Sequence, residues 1–102
     1  MMIARLWHGC TKPEDAAAYH EMLLNKILPG IHRIAGYKGG HVLRREGKDE
    51  VEFITLTFWE SLDAIREFAG PDYERAVIIP EAARLLTRHD ERSTHYESTR
   101  SE

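Results

Sequence analysis

The stretch Val51-Glu52-Phe53-Ile54-Thr55-Leu56-Thr57-Phe58-Trp59 constrains the fold more than any other part of the chain. It is rich in β-branched and aromatic residues, so it reads as a strand. Successive side chains on a strand point to opposite faces. Here both sets are apolar: Ile54, Leu56 and Phe58 on one side, Val51, Phe53 and Trp59 on the other. A strand of this kind belongs in the middle of a sheet covered on both faces. The even residues are expected to face helices, and the odd residues, with Thr55 and Thr57, to face away from them.

The remaining elements fall around this strand. Ile3 to His8 reads as a strand with apolar groups on both faces. Thr11-Lys12-Pro13-Glu14 then opens a helix, with Thr11 as cap, Glu14 three residues on, and Pro13 in the first turn. Ala16, Tyr19, Leu23 and Ile27 make its inner stripe, broadened by Met22 and Leu24, and Pro29-Gly30 is expected to interrupt it. Tyr37 to Arg45 and Val51 to Trp59 form a hairpin joined by the polar loop Glu46-Gly47-Lys48-Asp49-Glu50, with a bulge at Gly39-Gly40. Ser61 caps a second helix with Leu62, Ile65 and Phe68 inward, ended by Gly70. Short helical pieces are expected at Pro71-Asp72 and Pro80, the latter including Leu85 and Leu86, and a last strand over Arg92 to Ser98.

This order, β-α-β-β-α-β, is the split βαβ pattern. It predicts an α+β, ferredoxin-like fold in a single domain spanning 1–102, with its core at about 2–98. Right-handed crossovers put both helices on one face of the sheet. The other face, expected to carry Ile3, Trp7, Val51, Phe53 and Trp59, is too apolar to stay wet. A second copy packing there as a homodimer, a dimeric α+β barrel, is the expected solution. Arg5, on that side, is expected to pair with a carboxylate across the interface.

Charge and composition narrow the partners. The net charge is −3, from 14 basic and 17 acidic residues, so no basic excess favours nucleic acid. No apolar run approaches the ~20 residues needed to cross a bilayer, and the first residues lack the pattern of a secretory signal. The single cysteine, Cys10, excludes an intrachain disulfide and fits a cytoplasmic protein. No metal-ligand spacing and no phosphate-cradling glycine loop is present.

The block Glu52-Phe53-Ile54-Thr55-Leu56-Thr57-Phe58-Trp59-Glu60-Ser61, with Leu62-Asp63-Ala64-Ile65 and Phe68-Ala69-Gly70-Pro71-Asp72-Tyr73, resembles the antibiotic biosynthesis monooxygenase family. Asp90-Glu91 and His95-Tyr96-Glu97 are similar too. The resemblance implies a ferredoxin-like protomer, a sheet-to-sheet dimer, and a cavity between sheet and helices. It implies oxygenation of an aromatic or phenolic molecule without a cofactor, although the same scaffold also serves isomerases, lyases and non-catalytic binding proteins. Haem degraders of this superfamily rely on an asparagine of the first strand, whereas the only asparagine here is Asn25, on the first helix.

A cofactorless oxygenase needs a base, a group to hold the substrate anion, and an apolar pocket. The catalytic candidates are His8, placed by the parity above on the helix-facing side, His20 near the cavity mouth, and Tyr73 just after the Gly70-Pro71 break. Phe68, His95 and Trp59 are the candidate pocket residues, Trp59 matching the family's tryptophan at the end of the third strand.

Overall fold

The computed structural model describes residues 1–101. Its strands are β1 (Met2–Thr11), β2 (Tyr37–Glu46), β3 (Val51–Trp59), β4 (Leu86–His89) and β5 (Thr94–Ser98). Its α-helices are α1 (Ala16–Met22), α2 (Leu28–Ile31), α3 (Leu62–Ala69) and α4 (Pro80–Ala83). The sheet runs β2-β3-β1-β4, with β5 also on β1, and every pairing is antiparallel. β1 and β2 therefore run the same way with β3 inserted between them. This is the expected α+β, ferredoxin-like βαββαβ arrangement.

The face assignment is corrected. Ile3, Arg5, Trp7 and Gly9 lie opposite Trp59, Thr57, Thr55 and Phe53, so the odd residues of both strands share one face. Phe53 and Val51 pack with Tyr19 and Leu23 of the first helical segment, and Trp59 packs with Ile65 of α3. The odd face is the one under the helices. Ala4, Leu6, Ile54, Leu56 and Phe58 form the open face, joined by Leu43 of β2 and Tyr96 of β5 through the register. Both parities of β3 are apolar, so its own pattern fits either orientation, and reversing the parity exchanges every side chain between faces.

The last strand expected over Arg92 to Ser98 is found as β5, which pairs with Met2 to Leu6, and a short strand that was not expected, β4, precedes it and pairs with Gly9 to Thr11. Between them Asp90 takes over. Its carboxylate accepts from the backbone N–H of His8 at 3.0 Å, its own N–H donates to the His8 carbonyl at 3.0 Å, and its carbonyl accepts from Trp7 Nε1 at 2.8 Å. A side chain thus does the ladder's work at the break, which leaves no buried polar group of β1 stranded there. Leu86, expected in a helix, belongs to β4.

Three helix expectations change. Thr11 is not a cap but the last residue of β1, fully buried, its hydroxyl donating to the Lys12 carbonyl. The first helix does not stop at Pro29-Gly30. It passes from a 3-10 turn (Pro13–Asp15) through α1 into a π-helical segment (Leu23–Ile27) and then α2. Proline lacks an N–H and its ring crowds the carbonyl four residues back, and the wider π turn just before it makes room. Leu24, placed on the inner stripe, is exposed. Residues 71–79 contain no helix and run as an irregular segment tied to the sheet by Ala76 N–H to the Glu91 carbonyl at 3.0 Å. Ser61 does cap α3, accepting from Ala64 N–H at 3.2 Å, and Gly70 closes it at φ 90°. The Gly39-Gly40 irregularity is also found, as a register shift between Tyr37 and Gly40. No helix is long and apolar enough to cross a membrane among the described residues.

Candidate functional site

The side chains along the covered face of β3 alternate in size in an informative way. Phe53 and Trp59 are completely buried at its two ends, and each anchors its own core cluster. Thr55 and Thr57 lie between them, and two short side chains cannot reach the helices. The result is a cavity of about 320 Å³ between the two clusters. Thr55 and Thr57 line its floor with Arg5 and Trp7 of β1. Tyr19, Leu23 and Ile27 come from the first helical segment, Phe68 from α3, and Ile78, Ile79 and Ala82 from the approach to and start of α4. The lining is overwhelmingly apolar, as in small-molecule sites generally.

Ser93 and Lys26 also line the cavity, Lys26 exposed and paired with Glu81, and Arg5 is the charged side chain buried within it. The guanidinium side chain belongs to a residue only 5% exposed. Its Nη1 donates to the Tyr73 carbonyl and to His95 Nε2 at 3.0 Å, and its Nη2 to the Arg75 carbonyl at 3.1 Å. All three acceptors are neutral, and no carboxylate lies within 4.0 Å of Arg5 among the described residues. The interface ion pair expected for it is therefore corrected: Arg5 points into the protomer. Burial lowers its pKa to about 10, which still leaves it cationic at neutral pH. Its Cζ lies 5.5 Å from the Phe68 ring centre, and Phe68 stacks on Trp59 at 5.7 Å.

His95 sits beside this group. Arginine can only donate, so the His95 Nε2 it contacts must be unprotonated, and the ring proton is on Nδ1. Burial first, and then the Arg5 charge, lower the His95 pKa, so the ring is neutral; the Glu74 carboxylate opposes this weakly. Nδ1 is buried without a partner, as is Thr55 Oγ1 in the cavity floor. Thr57 Oγ1, by contrast, accepts from Trp59 Nε1 at 2.9 Å. Burial holds the Tyr19 phenol well above its usual pKa, so it stays neutral.

The candidate residues divide accordingly. Phe68 lines the cavity. Trp59 and His95 stand behind its wall, supporting Phe68 and Arg5 respectively. Tyr73 reaches the site through its backbone carbonyl, while its ring packs edge-on to His95 at 5.1 Å and beneath Arg66. His20 lies outside the cavity, against Phe53 and Arg44. His8 is on the open face, the correction that follows from the reversed parity, and its Nδ1 meets Asp90 Oδ2 at 2.9 Å. The candidate residue that sequence reasoning placed elsewhere is Arg5. Its sequence signal is a cation amid an apolar strand; that it lies opposite Thr57 rather than an acid shows only in the register.

Gly9 fixes one end of the cavity. A Cβ there would fall 2.7 Å from the Trp7 ring and 2.9 Å from Leu86, so only glycine lets the indole lie where it does. No group of three or more metal-ligating side chains exists among the described residues. Asn25 is exposed within the π-helical segment, away from β1.

No family model matches the sequence, and no curated protein matches it. Solved structures do. A candidate antibiotic biosynthesis monooxygenase from Bacillus cereus superposes with a TM-score of 0.69 at 16% identity, covering 100% of this chain and 95% of its own. SnoaB, a cofactor-independent oxygenase from Streptomyces nogalater, gives 0.69 at 17% identity over 98% and 95% of the two chains. A conserved protein from Methanosarcina mazei gives 0.72 at 16% identity over 97% and 94%. At these identities the likeness establishes the fold, and it is the fold that the sequence resemblance implies.

Proposed function

We propose that this chain, which has the fold seen in cofactor-independent oxygenases, oxygenates an aromatic or phenolic small molecule inside the cavity, with no bound cofactor. The observation that carries the reading is the apolar cavity holding one buried cation, Arg5, without a counter-charge. A positive neighbour in a low-dielectric site favours ionisation of a phenol. The phenolate is electron-rich enough to pass an electron to O₂. One oxygen atom then enters the ring, and the other leaves as water with the phenolic and ring hydrogens, giving a quinone. No external reductant is needed. In this reading Phe68, backed by Trp59, walls the substrate, His95 and the Tyr73 carbonyl hold Arg5 in place, and the apolar helices limit the access of water.

Oxygen uptake with 1-naphthol tests it. The expected result is uptake matched mole for mole by 1,4-naphthoquinone, and its loss in a Thr55→Trp variant that fills the cavity floor. Phenols that bind without consuming oxygen would replace the oxygenase with a non-catalytic binding barrel. One observation favours that second reading: no histidine or carboxylate lines the cavity among the described residues. The same lack weighs against an isomerase or lyase, which must move protons within the site. His8 and His20 have no part in either reading.

A homodimer through the open face belongs to this proposal. Leu43 and Tyr96 are 45% and 54% exposed there, beside half-buried Leu6, Ile54, Leu56 and Phe58. An apolar sheet face of this kind is normally covered, and a second copy offers a matching surface. Sedimentation at micromolar concentration checks it, a monomer being the adverse result. A cytoplasmic setting is supported by the lone, buried, unpaired Cys10.

A further inference from the structure

Arg5 is a costly residue to bury. A guanidinium taken out of water is stabilised only when its charge is met, and here three neutral acceptors meet its hydrogens but not its charge. Arginine carries five N–H donors. Two of them have no partner in the protein, the number that a carboxylate, or a phenolate with a neighbouring oxygen, accepts side by side. The unpartnered Thr55 hydroxyl lines the same cavity, on the strand directly adjacent to that of Arg5. Size adds a limit. Benzene fills a closed cavity of about 150 Å³, so the 320 Å³ here has room for roughly two fused rings, with the mouth open to solvent.

We infer that the cavity selects a mono- or bicyclic aromatic anion, with Arg5 as the residue that recognises its acidic oxygen and Thr55 as a second polar contact. The inference rests on the cavity being the ligand site, as proposed above, but not on oxygen chemistry. A neutral aromatic of the same shape leaves the Arg5 charge unmet. A larger polycycle would have to project from the cavity mouth into solvent, where it buries less of its surface.

Calorimetric titration without oxygen, near neutral pH, separates these terms. The probes are 2-naphthoate, the isosteric neutral 2-naphthamide, and 9-anthroate. Wild-type protein is expected to bind 2-naphthoate at least about tenfold more tightly than 2-naphthamide, the scale of a charge-assisted hydrogen-bonded pair. It should bind 9-anthroate more weakly than 2-naphthoate. In Arg5→Gln, which removes the charge and leaves a shorter neutral amide, the preference for the anion should vanish while 2-naphthamide binding persists. Equal affinity of the wild type for acid and amide overturns the inference without any variant. Binding of neither overturns both it and the cavity reading. A retained preference with no oxygen uptake from 1-naphthol leaves the inference standing and removes only the oxygenase.

Discussion

On β3 the odd residues Val51, Phe53 and Trp59 are sealed beneath helices, while the even residues Ile54, Leu56 and Phe58 stay half-exposed. The two faces hold comparable amounts of apolar surface, yet they differ in continuity. The covered face is interrupted by Thr55 and Thr57, and the interruption is the cavity floor. The open face has no such gap along β3, so it suits a flat partner rather than a small ligand. Hydrophobicity alone does not separate a binding pocket from an interface. The relief of the surface does.

The largest expected effect separates the faces outright. Trp59→Ala should cost about 3–5 kcal/mol, as for other large core aromatics, and Leu56→Ala less than half of that in the isolated protomer. Urea unfolding at a concentration low enough to dissociate any dimer reads both, and equal costs would erase the distinction. Next, Leu56→Glu should raise the dimer dissociation constant about a hundredfold, roughly 2.7 kcal/mol, by placing a charge in the seam. Sedimentation equilibrium checks this, and an unchanged constant would move the interface elsewhere.

A subtler contrast lies within the covered face. Thr55→Val removes a buried hydroxyl that has no partner, so the unliganded protein should gain about 1 kcal/mol. Thr57→Val strips the acceptor from Trp59 Nε1 and should lose about as much. Opposite signs from chemically identical changes, measured by thermal unfolding, would tie the cavity to a stability cost. The last prediction is a slope rather than a step. The folded-state pKa of His95 is depressed, so the unfolded chain takes up the proton first. Its contribution is present above its unfolded value near 6.5 and is lost as pH falls through the folded-state pKa. Stability of the wild type should therefore decline on mild acidification, and the decline should be shallower in His95→Gln.

Much of the architecture was legible because local signals agreed with one another. Ser61, Gly70, the Gly39-Gly40 bulge and Pro80 at the start of α4 each mark a boundary through their own chemistry. What was not legible depended on contacts distant in sequence. The parity of β3 was ambiguous because both of its faces are apolar. Reversing it moved His8 out of the site and Arg5 into it. The additional strand β4 was hidden because it is short and gives way to Asp90, whose side chain replaces ladder bonds in a way periodicity cannot register. Phe68 was found because a helix stripe points one way.

The π-helical turn at Leu23–Ile27 has a consequence for how such a cavity arises. Tyr19, Leu23, Ile27 and Ile31 all line it, and they recur at every fourth position. On a regular α-helix each such step overshoots by about 40°, and three steps by about 120°, which would carry Ile31 off the inner face. The wider turn absorbs that drift. A π turn is equivalent to one residue inserted into an α-helix, so the far wall of the cavity depends on chain length as well as on side-chain identity. Deleting one residue there would rotate everything downstream and turn different side chains toward the sheet.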